Sequence, residues 1–467
     1  LFLLAGLFRI GKVFIRSEGL IWVAILLPFS LFFSWNLGGN EMYIPLVTSS
    51  TVAKAIGIWG VYFFFFPYWF LSSASPLSDK LRNPSKEKSE GRNALKGHKL
   101  FEDYQYFWFA FVLLGMATFI QPLVGLQLFL ILSGVQVINF LWEKKHNGFK
   151  KIDKTNWRIF HPLLFYLATA GVWVYFLQSH FASGTIDNWL LFDFLEFRLS
   201  HHFIPSYFSK KAAIVLLPLF AWSLFYYFKK SKAVFFYFVI TLLGILIYTV
   251  GVEIVKNATI VSSQFFKATI WLKSFSFIAL MATVESWIPF FQKNIVSKMM
   301  TWGIRLCGIL TILLILNPVG IFKQRPYDFF FLNKNRVNSI IEIAQIAKAK
   351  TPKDAQFIIP IWNTRFKNYS ERSTYIDFKA VIHRKAIIPI WYQRIQEIYG
   401  INVATKRSGK DIQAEADKNY RAITIEDLRR FHQRGIQYFL TYREIDLPLE
   451  RVGQNDDYVI YKLDDLR

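Results

Sequence analysis

Two groups of side chains in this sequence have the types and spacing to do chemistry. The first lies in FRLSHHFIP, residues 197 to 205, where Arg198, His201 and His202 stand between long apolar runs and just ahead of Pro205. Imidazoles titrate near neutral pH, so a histidine pair with an arginine at the mouth of a helical bundle could hold an anionic head group or carry a proton. The plainer reading is a solvated connector, and the residues leave both open. Metal is rejected: zinc needs three or four converging ligands, and adjacent histidines rarely converge on one ion. The single cysteine, Cys307, lies inside an apolar run, which removes disulfides and thiolate metal sites.

The second group is Arg365, Tyr369, Arg372, Tyr375, Asp377, Lys379, Trp391 and Arg394. If STYIDFK (373 to 379) is a strand, alternation puts Tyr375, Asp377 and Lys379 on one face and Ile376 and Phe378 on the other. Two arginines from the preceding loop, Arg365 and Arg372, would then let that face grip a phosphate or carboxylate. The competing reading is an internal ion-pair network, Asp377 with Arg372 or Arg394, that orders the domain. Ionisable residues in or near the apolar runs are few: Lys54, Glu253, Lys273, Glu285 and Arg305. Most sit near run ends, where snorkelling is cheap, and no acidic ladder of the kind a proton-driven carrier needs crosses successive runs.

The elements that must position these groups are dominated by hydrocarbon. Of 467 residues, 53% are hydrophobic and 18% aromatic, more than a soluble fold can cover without large exposed apolar patches. Apolar runs of spanning length cover about 19 to 35, 53 to 73, 105 to 120, 123 to 142, 159 to 178, 212 to 228, 233 to 251, 269 to 290 and 299 to 319. The opening LFLLAGLFRIGK reads as the end of a further helix whose beginning is missing. This makes about ten spans, the first truncated.

Lys and Arg decide the orientation. Loops 8 to 18, 74 to 104, 143 to 158, 229 to 232 and 292 to 298 hold 21 basic residues, and the alternate loops 36 to 52, 121 to 122, 179 to 211 and 252 to 268 hold 5. Basic loops stay in the cytoplasm, so the His-His segment and everything after Asn317 are expected outside it. The formal charge of +23 then suits an anionic leaflet rather than nucleic acid.

Residues 186 to 199 show Leu190, Phe194 and Phe197 on one helical stripe, which suits an interfacial helix lying flat on the bilayer. The stretch from Ser78 to Lys99 is polar and reads as a flexible loop. Beyond about Lys323 the pattern becomes α/β, giving a boundary between a helical domain at 1–320 and a second domain at 321–467. Asn335 to Lys350 is helical, QFIIPIW (356 to 362) and STYIDFK are strands, and 388 to 400 is helical. Thr424 caps a helix that Gly435 ends before the strand IQYFLTY, and YVIYKL closes the chain. No GxGxxG or P-loop is present, so a nucleotide fold is unsupported.

FIQPLVG (119 to 125), FRLSHHFIP, and the run from TPKDAQFIIP through RFKNYSERSTYIDFKA to WYQR (351 to 394) resemble an uncharacterised family of bacterial inner-membrane proteins. Gln121 stands where those relatives often have His. The general layout is similar to that of the GT-C glycosyltransferases. That resemblance implies an inverting transfer of sugar from a polyprenyl-phosphate donor on the outer face of the inner membrane. It implies an acidic residue in the first outer loop as base or metal ligand. The region following the first helix is expected to precede Leu1, and the loop 36 to 52 offers only Glu41, so no catalytic residue is carried over. No cofactor is expected, except a divalent metal if an acidic loop precedes Leu1. The other reading is a non-catalytic membrane subunit or scaffold for envelope assembly.

Overall fold

The structure is a computed structural model and describes residues 2–29, 49–73, 95–147, 161–181, 187–208, 210–291, 339–378, 386–402 and 412–466. The chain divides into two compact units, one of residues 1–177 and 201–325, the other of residues 178–200 and 326–467. Residues 178–200, which precede part of the first unit in sequence, group with the second.

The first unit is helical. Among the described residues five helical stretches are long and apolar enough to cross a membrane: Ser49–Trp69, Pro122–Trp142, Ala212–Lys230, Lys232–Glu253 and Ala258–Trp287. Each overlaps an expected span. Tyr106–Ile120 and His161–Leu177 are shorter apolar helices. The run expected over 19 to 35 is an α-helix only for Glu18–Leu26, followed by the 3-10 turn Leu27–Phe29, and the run 299 to 319, with Arg305 and Cys307, lies outside the described residues. A helix begins at Leu95, inside the stretch expected to be a polar loop over Ser78 to Lys99.

Helices Leu95–Ile120 and Pro122–Asn147 form a hairpin about Gln121. Pro122 opens the second helix, where its missing N–H is no loss. The two helices approach so closely that a Cβ on Gly125 would collide with the Thr118 backbone and hydroxyl. Thr118 also shares a hydroxyl hydrogen bond of 2.7 Å with Tyr166 of the helix His161–Tyr166.

Several ionisable groups near the span ends hold backbone. Glu285 accepts from the amides of Arg16 (3.0 and 2.9 Å) and Ser17 (2.6 Å), where the helix Glu18–Leu26 begins and an anion is favoured. Glu253 accepts from the Ser206 amide at 2.6 Å, and Lys273 donates to the Pro28 carbonyl at 3.1 Å. Each charge thus has a backbone partner, and Lys273, the buried one of the three, needs it most.

The second unit is a five-stranded sheet in the order β2-β1-β3-β5-β4, with β1 at Gln356–Ile358, β2 at Ser373–Thr374, β3 at Tyr438–Tyr442, β4 at Arg451–Gln454 and β5 at Tyr458–Lys462. β1 runs parallel to β2 and β3, and β5 runs antiparallel to β3 and β4. The chain leaves β1 through the short helix Arg365–Ser370 to β2, then returns through helices Ile387–Tyr399, Gln413–Arg421 and Ile425–Gln433 to β3 on the other side of β1.

Strand alternation builds both cores. Phe357, Tyr438, Leu440 and Ile460 face the helix Ser339–Lys350 through Ile340, Ile343, Ala344 and Ala347. Tyr420, from Gln413–Arg421, packs on Phe439 with ring centroids 5.4 Å apart and donates to the Leu440 carbonyl at 2.6 Å. Thr424 closes a capping box with Asp427, and Gly435, at φ 88°, takes the left-handed conformation that lets the chain turn into β3.

Candidate functional site

The expected strand STYIDFK is only Ser373–Thr374 among the described residues, so no strand carries Tyr375 and Asp377 on a shared face. The departure has a physical cause: past Thr374 the chain turns to meet the helix Ile387–Tyr399. Arg394 donates to the Tyr375 carbonyl at 2.7 Å and stacks its guanidinium 4.2 Å from the Tyr375 ring. Trp391 donates its indole N–H to the Asp377 carbonyl at 3.0 Å. Lys379 lies outside the described residues.

Arg372, expected as a ligand grip, is 7% exposed and faces inward. Its Nη2 donates to the carbonyls of Lys348 (2.7 Å) and Thr351 (2.6 Å), its Nε to Thr351 Oγ1 (3.1 Å) and its Nη1 to the Ser370 carbonyl (3.3 Å). The Lys348 and Thr351 carbonyls lie at the end of Ser339–Lys350, where a cation is also favoured by the helix dipole. Arg365 begins the short helix Arg365–Ser370 as an exposed residue, and Tyr369 is 44% exposed. The structure thus joins Tyr375, Arg394 and the Asp377 backbone, and turns Arg372 away from them into a helix end.

The histidines are not in a loop. Asn188–Phe203 is one helix, so Arg198, His201 and His202 are helical, and His202 is half-buried. No helix-breaking residue occurs before Pro205, whose ring forces Ile204 into an extended conformation (φ −101°, ψ 115°). The expected apolar stripe is present but is covered by protein: Phe194 meets Trp391 at 5.3 Å, and Phe197 meets Phe378 at 6.1 Å. Leu195 is buried as well. Burial, then the carboxylates of Asp193 and Glu196, hold the Tyr392 phenol well above its ordinary pKa. Residues 188–200 are therefore a packed helix of the second unit.

The sheet opens a cavity that neither group predicted. Its volume is about 490 Å³, and its walls are Pro360, Trp362 and Asn363 after β1, Gln413, Ala414 and Asp417 from the helix Gln413–Arg421, and Tyr442 at the end of β3. This is where an α/β sheet of order 2-1-3 is built to bind: the connections leaving β1 and β3 diverge, and a crevice stays open beyond their carboxyl ends. Pro360 cannot donate to a ladder and ends β1. A turn closed by Asn363 N–H to the Pro360 carbonyl at 3.0 Å brings Trp362 and Asn363 to the rim.

Asp417 is held on both sides. The Tyr442 hydroxyl donates to its Oδ1, and Arg421 pairs with its Oδ2 at 2.9 Å. Arg421 also pairs with Glu444 and lies 3.7 Å from the centre of the Tyr442 ring. Burial, then the bond to Asp417, raises the Tyr442 phenol above its usual pKa, so it stays a donor. With both oxygens engaged, Asp417 is an oriented acceptor rather than a free base. Among the described residues no group of three His, Cys, Asp or Glu side chains could hold a metal ion.

The family described as Domain of unknown function (DUF6798) matches residues 338–398. That span runs from the helix Ser339–Lys350 through β1 and β2 into Ile387–Tyr399, and includes the cavity residues Pro360, Trp362 and Asn363. No curated protein and no solved structure matches the chain.

Proposed function

We propose that the chain is a multi-pass protein of the bacterial inner membrane with its α/β unit on the extracytoplasmic side, and that it acts as a GT-C-like glycosyltransferase on a polyprenyl-phosphate-linked sugar. The observation that carries this reading is the joining, in one chain, of membrane-length helices and an α/β unit with a polar, aromatic cavity at the carboxyl ends of β1 and β3. Apolar helices offer a lipid-linked donor its prenyl environment, and a cavity of this kind offers a soluble acceptor its polar contacts. A purely structural subunit needs no such cavity. One observation favours the non-catalytic alternative: the guanidinium of Arg372 is committed to helix carbonyls, which withdraws a strong phosphate grip from the surface.

The test is turnover of a panel of polyprenyl-phosphate sugars by the full protein in liposomes. Release of polyprenyl phosphate with transfer to an acceptor supports the enzyme. No release with any donor, from protein whose folding is verified, leaves the scaffold. Sidedness is read separately by thiol labelling of intact cells carrying Tyr369→Cys or Ser89→Cys in a Cys307→Ser background. Labelling at 369 with protection at 89 is expected, and the reverse overturns the orientation.

A further inference from the structure

We infer that the cavity between the ends of β1 and β3 is a saccharide-binding site whose ligand is a neutral pyranose or a short chain of them. The inference rests on the transferase reading only for the use to which the bound sugar is put, namely as acceptor; the site itself is argued from its walls. Three features of those walls select the ligand.

The first is their mixture of groups. Trp362 offers an apolar aromatic surface, Tyr442 brings a ring carrying the Arg421 guanidinium, and Asn363 and Gln413 are amides, each with donor and acceptor groups. A sugar ring has the same duality, with C–H groups on its faces and hydroxyls at its edge that both donate and accept. The second is the fixed acceptor. Asp417 is locked by Tyr442 and Arg421, so it presents oriented lone pairs to hydroxyl donors without having to be ordered on binding, which removes part of the usual cost.

The third is charge. Arg421, beside Asp417, is paired with both Asp417 and Glu444, so the three groups together carry one negative charge. A phosphate or carboxylate ligand would meet the Asp417 carboxylate, whose guanidinium partner is already shared with Glu444. The site therefore discriminates against the anionic ligands that its place in the sheet would otherwise suggest. Its volume, about 490 Å³, falls within the range of about 300–1,000 Å³ typical of small-molecule sites.

The experiment titrates the purified full chain in detergent with glucose, mannose, N-acetylglucosamine and their disaccharides, and separately with AMP and inorganic phosphate, reading saturation transfer to ligand protons, or phosphorus line width for phosphate. Saccharide binding that neither AMP nor phosphate competes is expected. Gln413→Ala, at an exposed helix position that should leave the fold intact, is expected to weaken it about tenfold, the equivalent of one lost hydrogen bond. Asp417→Asn should do at least the same, and if that variant fails to fold, Gln413→Ala decides. No saccharide binding at tens of millimolar, binding unchanged in Gln413→Ala, or AMP or phosphate bound in place of sugar would each overturn the assignment. Saccharide binding without donor turnover leaves this site standing and removes the transferase reading; donor turnover without saccharide binding does the opposite.

Discussion

Replacing Arg372 by alanine separates two roles that its sequence context allows, ligand grip and helix cap. The guanidinium makes its shortest hydrogen bonds to the carbonyls of Lys348 and Thr351, at 2.7 and 2.6 Å. A hydrogen bond to a charged group contributes about 1.5–3 kcal/mol net, so these two set a loss of about 3–6 kcal/mol. Water entering the truncated site recovers part of this, which favours the lower end. A loss of about 3 kcal/mol corresponds to roughly 150-fold faster amide exchange wherever opening of this unit controls exchange. The assay is hydrogen exchange by mass spectrometry on peptides covering 339–351, in the full chain. Arg372→Lys should restore less than half of the protection, because one ammonium cannot reach acceptors spread over Lys348, Thr351 and Ser370. Exchange in Arg372→Ala within about threefold of wild type would refute the capping role and return Arg372 to the candidates for anion binding.

Other substitutions test the remaining contacts. Gly125→Ala should destabilise the hairpin by about 1–3 kcal/mol or more, because its Cβ meets the Thr118 backbone, which cannot give way; Gly171→Ala, with nothing within 4 Å, is the control, and equal melting of the two variants in detergent would contradict the close approach. Phe194→Ala removes a ring that is 1% exposed and should cost about 3–5 kcal/mol, seen as faster proteolysis within 187–200; unchanged cleavage would mean that the helix gains little from Trp391. Thr424→Ala should cost about 1 kcal/mol, read as exchange over 425–433. The same cap is pH-dependent. Burial opposes ionisation of Asp427, but hydrogen bonds from Thr424 and the Arg430 guanidinium outweigh it and hold its carboxyl below the usual range. Its contribution is thus full above the ordinary carboxylate pKa and fades as pH falls through the lowered value, so protection of 425–433 should drop on acidification in wild type and less in Asp427→Asn.

The parts of this molecule that sequence reveals are those where one physical term dominates. Hydrocarbon length marks Pro122–Trp142 and Lys232–Glu253 as membrane-length helices, and the N-cap at Thr424 is readable because cap chemistry is local. Arg372 was not readable, since an arginine beside Tyr375 and Asp377 invites an ion pair, and only the fold shows the end of Ser339–Lys350 beneath it. The helix Gln413–Arg421 was invisible for a different reason: QAEADKNYR buries only Ala416 and Tyr420, too few for a period to stand out. The cavity is a harder case still, because no segment contains it. Residues 360–363, 413–417 and 442 become neighbours only once β3 is placed beside β1 with β2 on the far side. That order follows from which strands pair, and β1 and β2 are so short, Gln356–Ile358 and Ser373–Thr374, that pairing leaves almost no periodic trace. A crevice at a topological switch point is a property of connectivity; its residues need share no motif, which is why Trp362, Asp417 and Tyr442 carry the strongest case for function in this chain with no sequence signature to announce it.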